Sequence, residues 1–413
     1  MSVSQFDVAV IGAGPSGAVA SALLNKRGFK VCVLEKQHFP RFVIGESLLP
    51  HCMEMLEEAG FADAVHAEPS FQFKNGAAFS WGSRYTEFDF TEKFSDGPDT
   101  VYQVRRGIFD KILIDEAAKQ GVEVRFGHGV TAFDNSGDFA RLSVEADTGE
   151  SYELTAKFVL DASGYGRVLP RLLDLETPSH LPPRQAHFTH IDDNITNPKF
   201  DRSKILITTH PQHRDVWIWL IPFGDNRCSI GVVGTPDVLA GESETVLKKF
   251  VYECPMLKEI LDKAVWENDF PFRSIQGYSA NVKSLYGKHF ALLGNAAEFL
   301  DPVFSSGVTI ALHSAKLAAD LLAKQLEGGA ADWDAEFAKP LMIGVNAFRT
   351  YVDGWYDFRF QNAIYAPNRS PEISRMISSI LAGYAWDTEN PFVAKSEQRL
   401  SALAALVGDV KVE

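Results

Sequence analysis

The stretch that indicates the fold is Phe6–Glu35, which reads FDVAVIGAGPSGAVASALLNKRGFKVCVLE. A short apolar run, Asp7–Ile11, predicts a strand, and the alanine- and leucine-rich stretch Ala18–Arg27 predicts a helix that ends at Gly28. A second strand is predicted for Lys30–Leu34. Strand, glycine turn, helix and strand in this order are typical of a unit that binds a dinucleotide.

The glycine turn of this unit has the spacing G-x-G-x-x-G. Gly12 permits the tight turn, Gly14 lets a pyrophosphate approach the backbone because it has no Cβ, and Gly17 lets the helix lie close to the strand. The free N–H groups of the turn and the positive end of the helix dipole favour phosphate. We therefore predict that Gly12, Ala13, Gly14, Ser16 and Gly17 bind the cofactor.

An acidic residue, Glu35, stands at the end of the second strand. A carboxylate in this place can accept a hydrogen bond from a ribose hydroxyl. It favours FAD or NAD over a cofactor with a 2′-phosphate, which a carboxylate would repel.

Length, net charge and cysteine spacing exclude several classes of partner and site. The 413 residues are enough for two or three domains, and the net charge of −14 argues against nucleic acid or an anionic membrane surface as a partner. The four cysteines show no C-x-x-C spacing, so we expect neither disulfides nor a metal site. Met1–Gln5 is short and polar, and no apolar run has membrane length. A cytoplasmic protein without a transmembrane segment is the expectation.

Three further stretches contain residues that suit contact with a flavin cofactor. Residues 158–167, FVLDASGYGR, predict an apolar strand that ends at Asp161 and a sharp turn. Arg106 lies on a predicted helix, where its guanidinium can pair with phosphate or adenosine groups or can lie at the surface. In residues 290–308, FALLGNAAEFLDPVFSSGV, a predicted strand delivers Gly294 and Asn295 to the cofactor. We add Arg106, Asp161, Gly294 and Asn295 to the predicted cofactor-binding residues.

The second half of the last stretch carries a possible anion site. Asp301 and Pro302 turn the chain, and we also assign Asp301 to the cofactor. Ser305, Ser306 and Gly307 then open a long predicted helix, whose free N–H groups attract an anion.

Together these motifs resemble the flavoprotein monooxygenase superfamily, and the resemblance covers Phe6–Leu326 with all pieces in the expected order. It implies an α/β fold like that of para-hydroxybenzoate hydroxylase, with an antiparallel β substrate domain and a C-terminal helical region. The third stretch usually reads G-D-A in that group, whereas this chain has Gly294-Asn295-Ala296. Asn295 can still bond the ribitol, with a changed flavin affinity.

The domain organisation predicted on this basis is discontinuous. We assign residues 1–70, 100–180 and 284–327 to the FAD-binding domain, 71–99 and 181–283 to the β-rich substrate domain, and 328–413 to the helical region. One helix is predicted for Glu242–Ala264.

Within the superfamily, residues 217–222 indicate which group of enzymes the chain resembles. The run Trp217-Ile218-Trp219-Leu220-Ile221-Pro222 resembles W-x-W-x-I-P of the flavin-dependent halogenases. On a strand the two tryptophans face the same side, where they can separate flavin from substrate or simply pack the core. The geranylgeranyl reductase group is a near neighbour, with a stretch that resembles Y-x-W-x-F-P.

Lys74 lies in FKNGAAFSWG, residues 73–82, which resembles a segment of the halogenases that act on phenols and pyrroles. The resemblance implies that its ammonium polarises hypohalous acid or that its amine carries the halogen. The alternative is a solvated strand lysine. The same branch has a turn that resembles D-P-x-F-S-S-G-V, which makes Ser306 and Gly307 the predicted halide site. Gly45-Glu46-Ser47 resembles the family's G-E-S segment, and Ser47 is assigned to cofactor contact.

These resemblances imply an FAD-dependent halogenase that uses reduced FAD, O2 and chloride or bromide to halogenate an electron-rich phenol or pyrrole. Lys74, Trp217 and Trp219 are its predicted catalytic residues. A separate flavin reductase would reduce the FAD, and the substrate would be free or held by an acyl or peptidyl carrier protein. The alternative is a monooxygenase or a prenyl or ene reductase of the same fold. An aromatic cluster on the C-terminal helices either packs the core or walls the substrate: Phe348, Tyr351, Trp355, Tyr356, Phe358 and Phe360.

Overall fold

The computed structural model describes residues 4–179 and 181–411, so residues 1–3 of the polar N-terminal stretch lie outside the described part. Its strands are β1 (Ser4–Ile11), β2 (Val31–Glu35), β3 (Gln72–Lys74), β4 (Gly76–Trp81), β5 (Arg84–Asp89), β6 (Val101–Gln103), β7 (Glu123–Phe126), β8 (His128–Asp134), β9 (Ala140–Ala146), β10 (Ser151–Asp161), β11 (Glu176–Thr177), β12 (Gln185–Asp192), β13 (Lys204–Thr209), β14 (Trp217–Pro222), β15 (Arg227–Gly234), β16 (Arg273–Gln276), β17 (Asn281–Val282), β18 (Tyr286–Gly287) and β19 (Phe290–Leu292).

The helices of the described chain are α1 (Pro15–Lys26), α2 (Cys52–Ala59), α3 (Ala62–His66), α4 (Arg106–Lys119), α5 (Val168–Leu172), α6 (Ser243–Tyr252), α7 (Pro255–Ile260), α8 (Ser306–Leu326), α9 (Lys339–Tyr356), α10 (Arg359–Tyr365), α11 (Pro371–Leu381), α12 (Pro391–Ala394) and α13 (Ser396–Val407).

The first sheet has the strand order β18-β19-β10-β1-β2-β7, in which β9 also pairs with β10 and β8 pairs with β9. Strands β19, β10, β1, β2 and β7 run parallel. Ile11 pairs with both Asp161 and Leu34, so the glycine turn, Glu35 and the turn after Asp161 lie at one edge of the sheet. Ligands of such sheets bind at the carboxyl ends of the strands. The predicted α/β fold is confirmed.

The second sheet has the order β16-β12-β15-β14-β13-β4-β5 and is antiparallel except between β13 and β4. Its two faces enter different cores. Ile218 and Leu220 of β14 pack with α6 and α7, whereas Trp217 and Trp219 belong to the large core that includes α1, α8 and the C-terminal helices. The strands of this sheet lie within the predicted substrate domain, although the domain limits themselves stay predictions.

The single helix predicted for Glu242–Ala264 is wrong, because the chain forms α6 and α7 instead. Cys254 between them has extended backbone angles, with φ of −94° and ψ of 110°. Pro255 follows it, and a proline disfavours helical angles in the residue before it and starts a helix more readily than it continues one.

Lys74 lies on a small separate sheet, in which β3 pairs with β6 and Lys74 faces Val101 in the register. An isolated bridge between Ser47 and Gln103 ties the chain before α2 to the same strand β6. The G-E-S segment and the lysine segment are therefore neighbours in space, although the sequence separates them.

Candidate flavin and halide site

The three glycines of the first turn occupy different steric environments. A Cβ on Gly17 would lie 2.0 Å from the carbonyl oxygen of Gly12, and a Cβ on Gly12, whose φ is +98°, would lie 2.5 Å from that of Ala162. A Cβ on Gly14 would meet only the Arg41 guanidinium, at 3.5 Å. Gly12 and Gly17 are therefore required by packing, while the space over Gly14 is open to a ligand.

Glu35 is held beside this turn by two backbone groups. Its Oε2 accepts a hydrogen bond from the N–H of Ala13 at 2.9 Å, and its Oε1 accepts one from the N–H of Gln37 at 2.9 Å. The carboxylate is buried. Because each carboxylate oxygen has further lone pairs, the fixed side chain can still accept from a ribose hydroxyl.

Two arginines share one carboxylate near the turn. Arg106 donates from Nε and Nη2 to Asp110 at 2.7 and 3.0 Å, and Arg41 donates to the same side chain at 3.0 Å. Arg106 is buried, so the alternative of a surface arginine is wrong. The cluster keeps one uncompensated positive charge beside Gly14, which suits a pyrophosphate. Arg41 was missed by sequence reasoning, since no spacing distinguishes it from a loop arginine.

Asp161 and Gly294 lie at the same edge of the first sheet, next to the glycine turn. Both carboxylate oxygens of Asp161 accept backbone hydrogen bonds, from Ser163 at 2.9 Å and Leu169 at 2.7 Å, and burial raises the pKa of Asp161. These bonds hold the turn after β10. A Cβ on Gly294 would lie 2.7 Å from the Cβ of Ala311 and 3.7 Å from the Ser16 hydroxyl, so the G-N-A turn packs on α8 beside the glycine turn.

Asn295 lies next to the predicted halide turn. Its Oδ1 would be 3.9 Å from a Cβ placed on Gly307, and its carbonyl oxygen accepts a hydrogen bond from Arg167 at 3.2 Å. Ser305, with φ of +57°, is in the left-handed region, and α8 begins at the buried Ser306. The N-terminus of a helix of 21 residues thus opens beside the residue assigned to the ribitol.

A chain of three side chains joins the tryptophan strand to the same turn; Trp217 and Asp301 are buried, and Tyr356 between them is half-buried. Trp217 donates from its indole N–H to the Tyr356 hydroxyl at 3.0 Å, and Tyr356 donates to Asp301 Oδ2 at 2.9 Å. The other oxygen of Asp301 accepts from the Val303 N–H at 3.0 Å. Burial raises the pKa of Asp301 to about 6. The sequence pointed to Tyr356 only as a member of an aromatic cluster.

The two tryptophans face the same side of β14, as predicted, with ring centroids 5.9 Å apart. Trp219 donates to the Ser229 hydroxyl at 3.0 Å. Its ring lies over Gly231, where a Cβ would approach to 2.3 Å, so the neighbouring strand must carry glycine here. Both rings are buried and form a wall rather than a surface patch.

Lys74 is fully buried, which excludes a solvated strand lysine. Its Nζ donates to the Ser47 hydroxyl at 2.8 Å and to the Leu48 carbonyl oxygen at 2.7 Å. Desolvation lowers the pKa of Lys74 to about 7, because burial disfavours the ammonium and none of the described residues places a carboxylate against it. Ser47, which we assigned to the cofactor, is here the partner of the lysine.

Lys74 and the predicted halide turn, residues 305–307, meet at one small cavity, which Ser305 of this turn lines. We call this space the inner cavity. Its lining includes Lys74, Leu49, Phe304 and Ser305, and its volume is about 10 Å³. This volume is comparable to that needed by one water molecule. The remaining lining residues are apolar: Ala77, Phe79, Ile205, Ile207, Val303 and Leu381.

Comparisons with known proteins show the family to which the chain belongs. The family model described as FAD binding domain matches residues 5–336, most of the chain, so the protein belongs to that family. The 1H-pyrrole-2-carbonyl-[peptidyl-carrier protein] chlorinase of Pseudomonas fluorescens is 30% identical over 87% of this chain and 83% of its own. Within the family, the chain belongs with the flavin-dependent halogenases, as the motifs predicted, and it is an FAD-dependent oxidoreductase.

Two solved structures extend the comparison. A flavoprotein/dehydrogenase from Cytophaga hutchinsonii is 44% identical, with a TM-score of 0.93 over 98% of both chains. The flavin-dependent brominase Bmp2 is 23% identical, with a TM-score of 0.82 over 97% of this chain and 100% of its own, which shows the shared fold.

Residues 4–179 and 181–411 contain no cluster of three or more histidine, cysteine or acidic residues that could hold a metal ion. In the same part of the chain, no helix is long and apolar enough to cross a membrane.

Proposed function

We propose that the protein halogenates an electron-rich aromatic ring, a phenol or a pyrrole, with reduced FAD, O2 and chloride or bromide. The observation that carries this proposal is the inner cavity, in which a fully buried lysine and the turn that opens α8 face one small space. A space of this size suits a reagent of two or three atoms, such as hypohalous acid, and excludes an aromatic substrate.

The cofactor would lie along the edge formed by Gly12, Gly14 and Glu35, with its pyrophosphate near Arg41 and its ribitol near Asn295. The open space over Gly14 and the extra positive charge of the arginine pair support this placement. When bound and reduced by a separate flavin reductase, FAD supplies with O2 the oxidation of the halide. The halide would be held by the backbone N–H groups of Ser306 and Gly307, where the helix dipole favours an anion.

Lys74 is suited to receive the oxidised halide. A neutral amine has two N–H groups and one lone pair, and the two N–H groups are taken by Ser47 and Leu48. The lone pair is then free to take the halogen from hypohalous acid: the nitrogen–halogen bond forms as the halogen–oxygen bond breaks, and one N–H proton leaves the nitrogen and joins the hydroxide as water. Transfer of that halogen to the ring, with loss of the ring proton, would regenerate the amine. The wall formed by Trp217 and Trp219 would separate these steps from the cofactor.

The carrier-bound substrate remains part of the proposal. It is supported by the similarity to a chlorinase whose name specifies a pyrrole group on a peptidyl carrier protein. A reductase or dehydrogenase is the second candidate, because the structure with 44% identity belongs to a protein described as a flavoprotein/dehydrogenase.

The test uses purified protein, FAD, a flavin reductase, NADH and bromide with a panel of phenols and pyrroles, each free and carrier-bound. We expect products with the bromine isotope pattern. Lys74→Ala should lose ring halogenation by at least about a hundredfold and keep reoxidation of reduced FAD. Lys204→Ala is the matched control, since it removes another buried lysine, paired with Asp201 and outside the inner cavity.

If Lys74→Ala halogenates as well as the parent, the lysine is structural and the route must be redrawn. If the parent gives no halide-dependent product and instead adds oxygen or two hydrogens, the second candidate replaces the first.

A further inference from the structure

A second, wider cavity lies directly behind the inner cavity. Its volume is about 530 Å³, within the usual range for small-molecule sites. Leu49 lines the inner cavity, and His51, two residues on, lines the wider one. A Cβ on Gly383 would contact both side chains, at 3.1 and 3.0 Å, so the two spaces share a thin wall. We call this space the outer cavity.

The floor of the outer cavity is aromatic. The rings of Trp386 and His313 stack with centroids 3.9 Å apart, and His51 tilts against Tyr384 at 4.9 Å. Burial lowers the pKa of His313 to about 3 and also lowers the pKa of His51, so both imidazoles are neutral at pH 7. A floor of neutral aromatic rings favours an aromatic group or a cation.

The rim of the cavity is acidic. Four carboxylates line it, those of Glu54, Asp96, Asp387 and Glu389, and none of the described lining residues is a lysine or an arginine. One ammonium outside the lining, that of Lys93, lies 5.3 Å from the centroid of the Tyr384 ring and donates to a backbone carbonyl. The rim therefore keeps a negative potential even with Lys93 counted.

His51 gives the sharpest indication of a ligand. Its Nδ1 lies 3.1 Å from the Gly383 carbonyl oxygen, which only accepts, so Nδ1 carries the proton and Nε2 keeps a lone pair. This Nε2 lies 3.6 Å from Oε2 of Glu54. Two acceptors thus face each other. The Tyr384 hydroxyl also lies against Glu54, but its proton is donated to the Pro98 carbonyl oxygen at 2.7 Å. His51 is buried, with 8% of its surface exposed.

We propose that the outer cavity binds a small aromatic amine in its protonated form. The ammonium would donate to both Glu54 and His51 Nε2, and the attached ring would lie against Trp386 and Tyr384. A carboxylate ligand is disfavoured by the same rim charge. The proposal concerns binding alone and does not depend on halogenation.

The probe is tyramine, titrated into the full-length protein by calorimetry without reductant or halide. Its controls are 4-methylphenol, which lacks the amine, and 4-hydroxyphenylacetate, which replaces it with an anion. We expect saturable binding of tyramine, at least about tenfold tighter than that of 4-methylphenol, and none of the anion.

Glu54→Gln should weaken tyramine binding about tenfold or more. Glu57→Gln is the matched control, because Glu57 is exposed on the same helix α2 but does not line the cavity. His51→Asn, which keeps a donor toward Gly383 but removes the second acceptor, should also weaken binding. Equal affinity for tyramine and 4-methylphenol, no saturable binding, or equal losses in the two glutamate variants would each overturn the proposal.

Discussion

The two cavities on either side of Leu49 differ in almost every physical property. The inner one has room for a water-sized molecule and contains one titratable side chain, Lys74, which is fully buried. The outer one is about fifty times larger and combines rings with four carboxylates. A dry, narrow space lowers the pKa of its lysine, whereas the charges of a wide and wet rim are screened by solvent.

The difference between the two cavities suits them to different proposed roles, halogen transfer in the inner cavity and ligand binding in the outer one. Burial makes Lys74 a reactive amine at neutral pH, which a solvated lysine is not. The outer cavity keeps its charge and its open shape, which suits reversible binding. Reagent handling and ligand recognition can therefore occur close together without the carboxylates holding the lysine in its protonated form.

The largest expected effect is on the pH dependence of halogenation. If the neutral amine of Lys74 takes the halogen, the halogenation rate relative to flavin reoxidation should fall about tenfold per pH unit below pH 7 and level off above it. Glu54→Gln, on the far side of the wall, should leave the midpoint unchanged. A rate that falls above pH 7 instead would show that the ammonium acts by donating an N–H.

The second prediction concerns stability. The pKa of Lys74 is about 7 in the folded protein and near 10.5 in the unfolded chain, so between these values the unfolded state binds more protons. Stability should therefore rise with pH in this window. Lys74→Met lacks the effect. The free energy of unfolding of the parent minus that of the variant should rise by up to about 3 kcal/mol from pH 7 to pH 9.

Urea unfolding of both proteins at the two pH values measures this difference. The unpaired Ser47 hydroxyl and Leu48 carbonyl of the variant cost the same at either pH and cancel. A difference that does not change with pH would mean that Lys74 is hydrated in solution, and the contrast between the cavities would then fail.

The parts of the fold that follow from short sequence patterns could be predicted. The glycine turn and the strand Trp217–Pro222 have their predicted places, because turn sterics and strand alternation act within a few residues. The break at Pro255 was also visible in the sequence, but the prediction of one helix for Glu242–Ala264 took no account of this proline.

The rest of the site depends on contacts between distant segments. Arg41 meets Asp110, and Tyr356 meets Asp301, only because the sheets and the C-terminal helices bring them together. The outer cavity likewise takes its lining from four separate segments, around residues 51, 94, 313 and 386. No local sequence pattern predicts contacts between such distant segments. For the same reason, the sequence did not decide whether Lys74 is buried or solvated.

The smallest expected effect tests whether the wall formed by Trp217 and Trp219 is coupled to the turn at Asp301. Tyr356→Phe removes the hydroxyl between Trp217 and Asp301, and Tyr351→Phe removes a comparable one, which donates to the Phe392 carbonyl at 2.6 Å. Both tyrosines lie on α9, where Tyr351 is buried and Tyr356 half-buried, so each variant should lose about 1–2 kcal/mol of stability.

Only Tyr356→Phe should act on Asp301. The pKa of Asp301, about 6, is above the ordinary value of 3.8. From pH 4 to 6 the folded state therefore binds more protons than the unfolded state, and stability falls as pH rises. The Tyr356 hydroxyl lowers this pKa, because it donates to the carboxylate. Without it, the fall should extend above pH 6, and halogenation should slow because Trp217 and the turn at Asp301 lose their link. Tyr351→Phe should keep the parent's pH dependence and rate. If the two variants behave alike in both measurements, the hydroxyl of Tyr356 contributes only packing and hydrogen bonding, and the wall formed by Trp217 and Trp219 is independent of the halide turn.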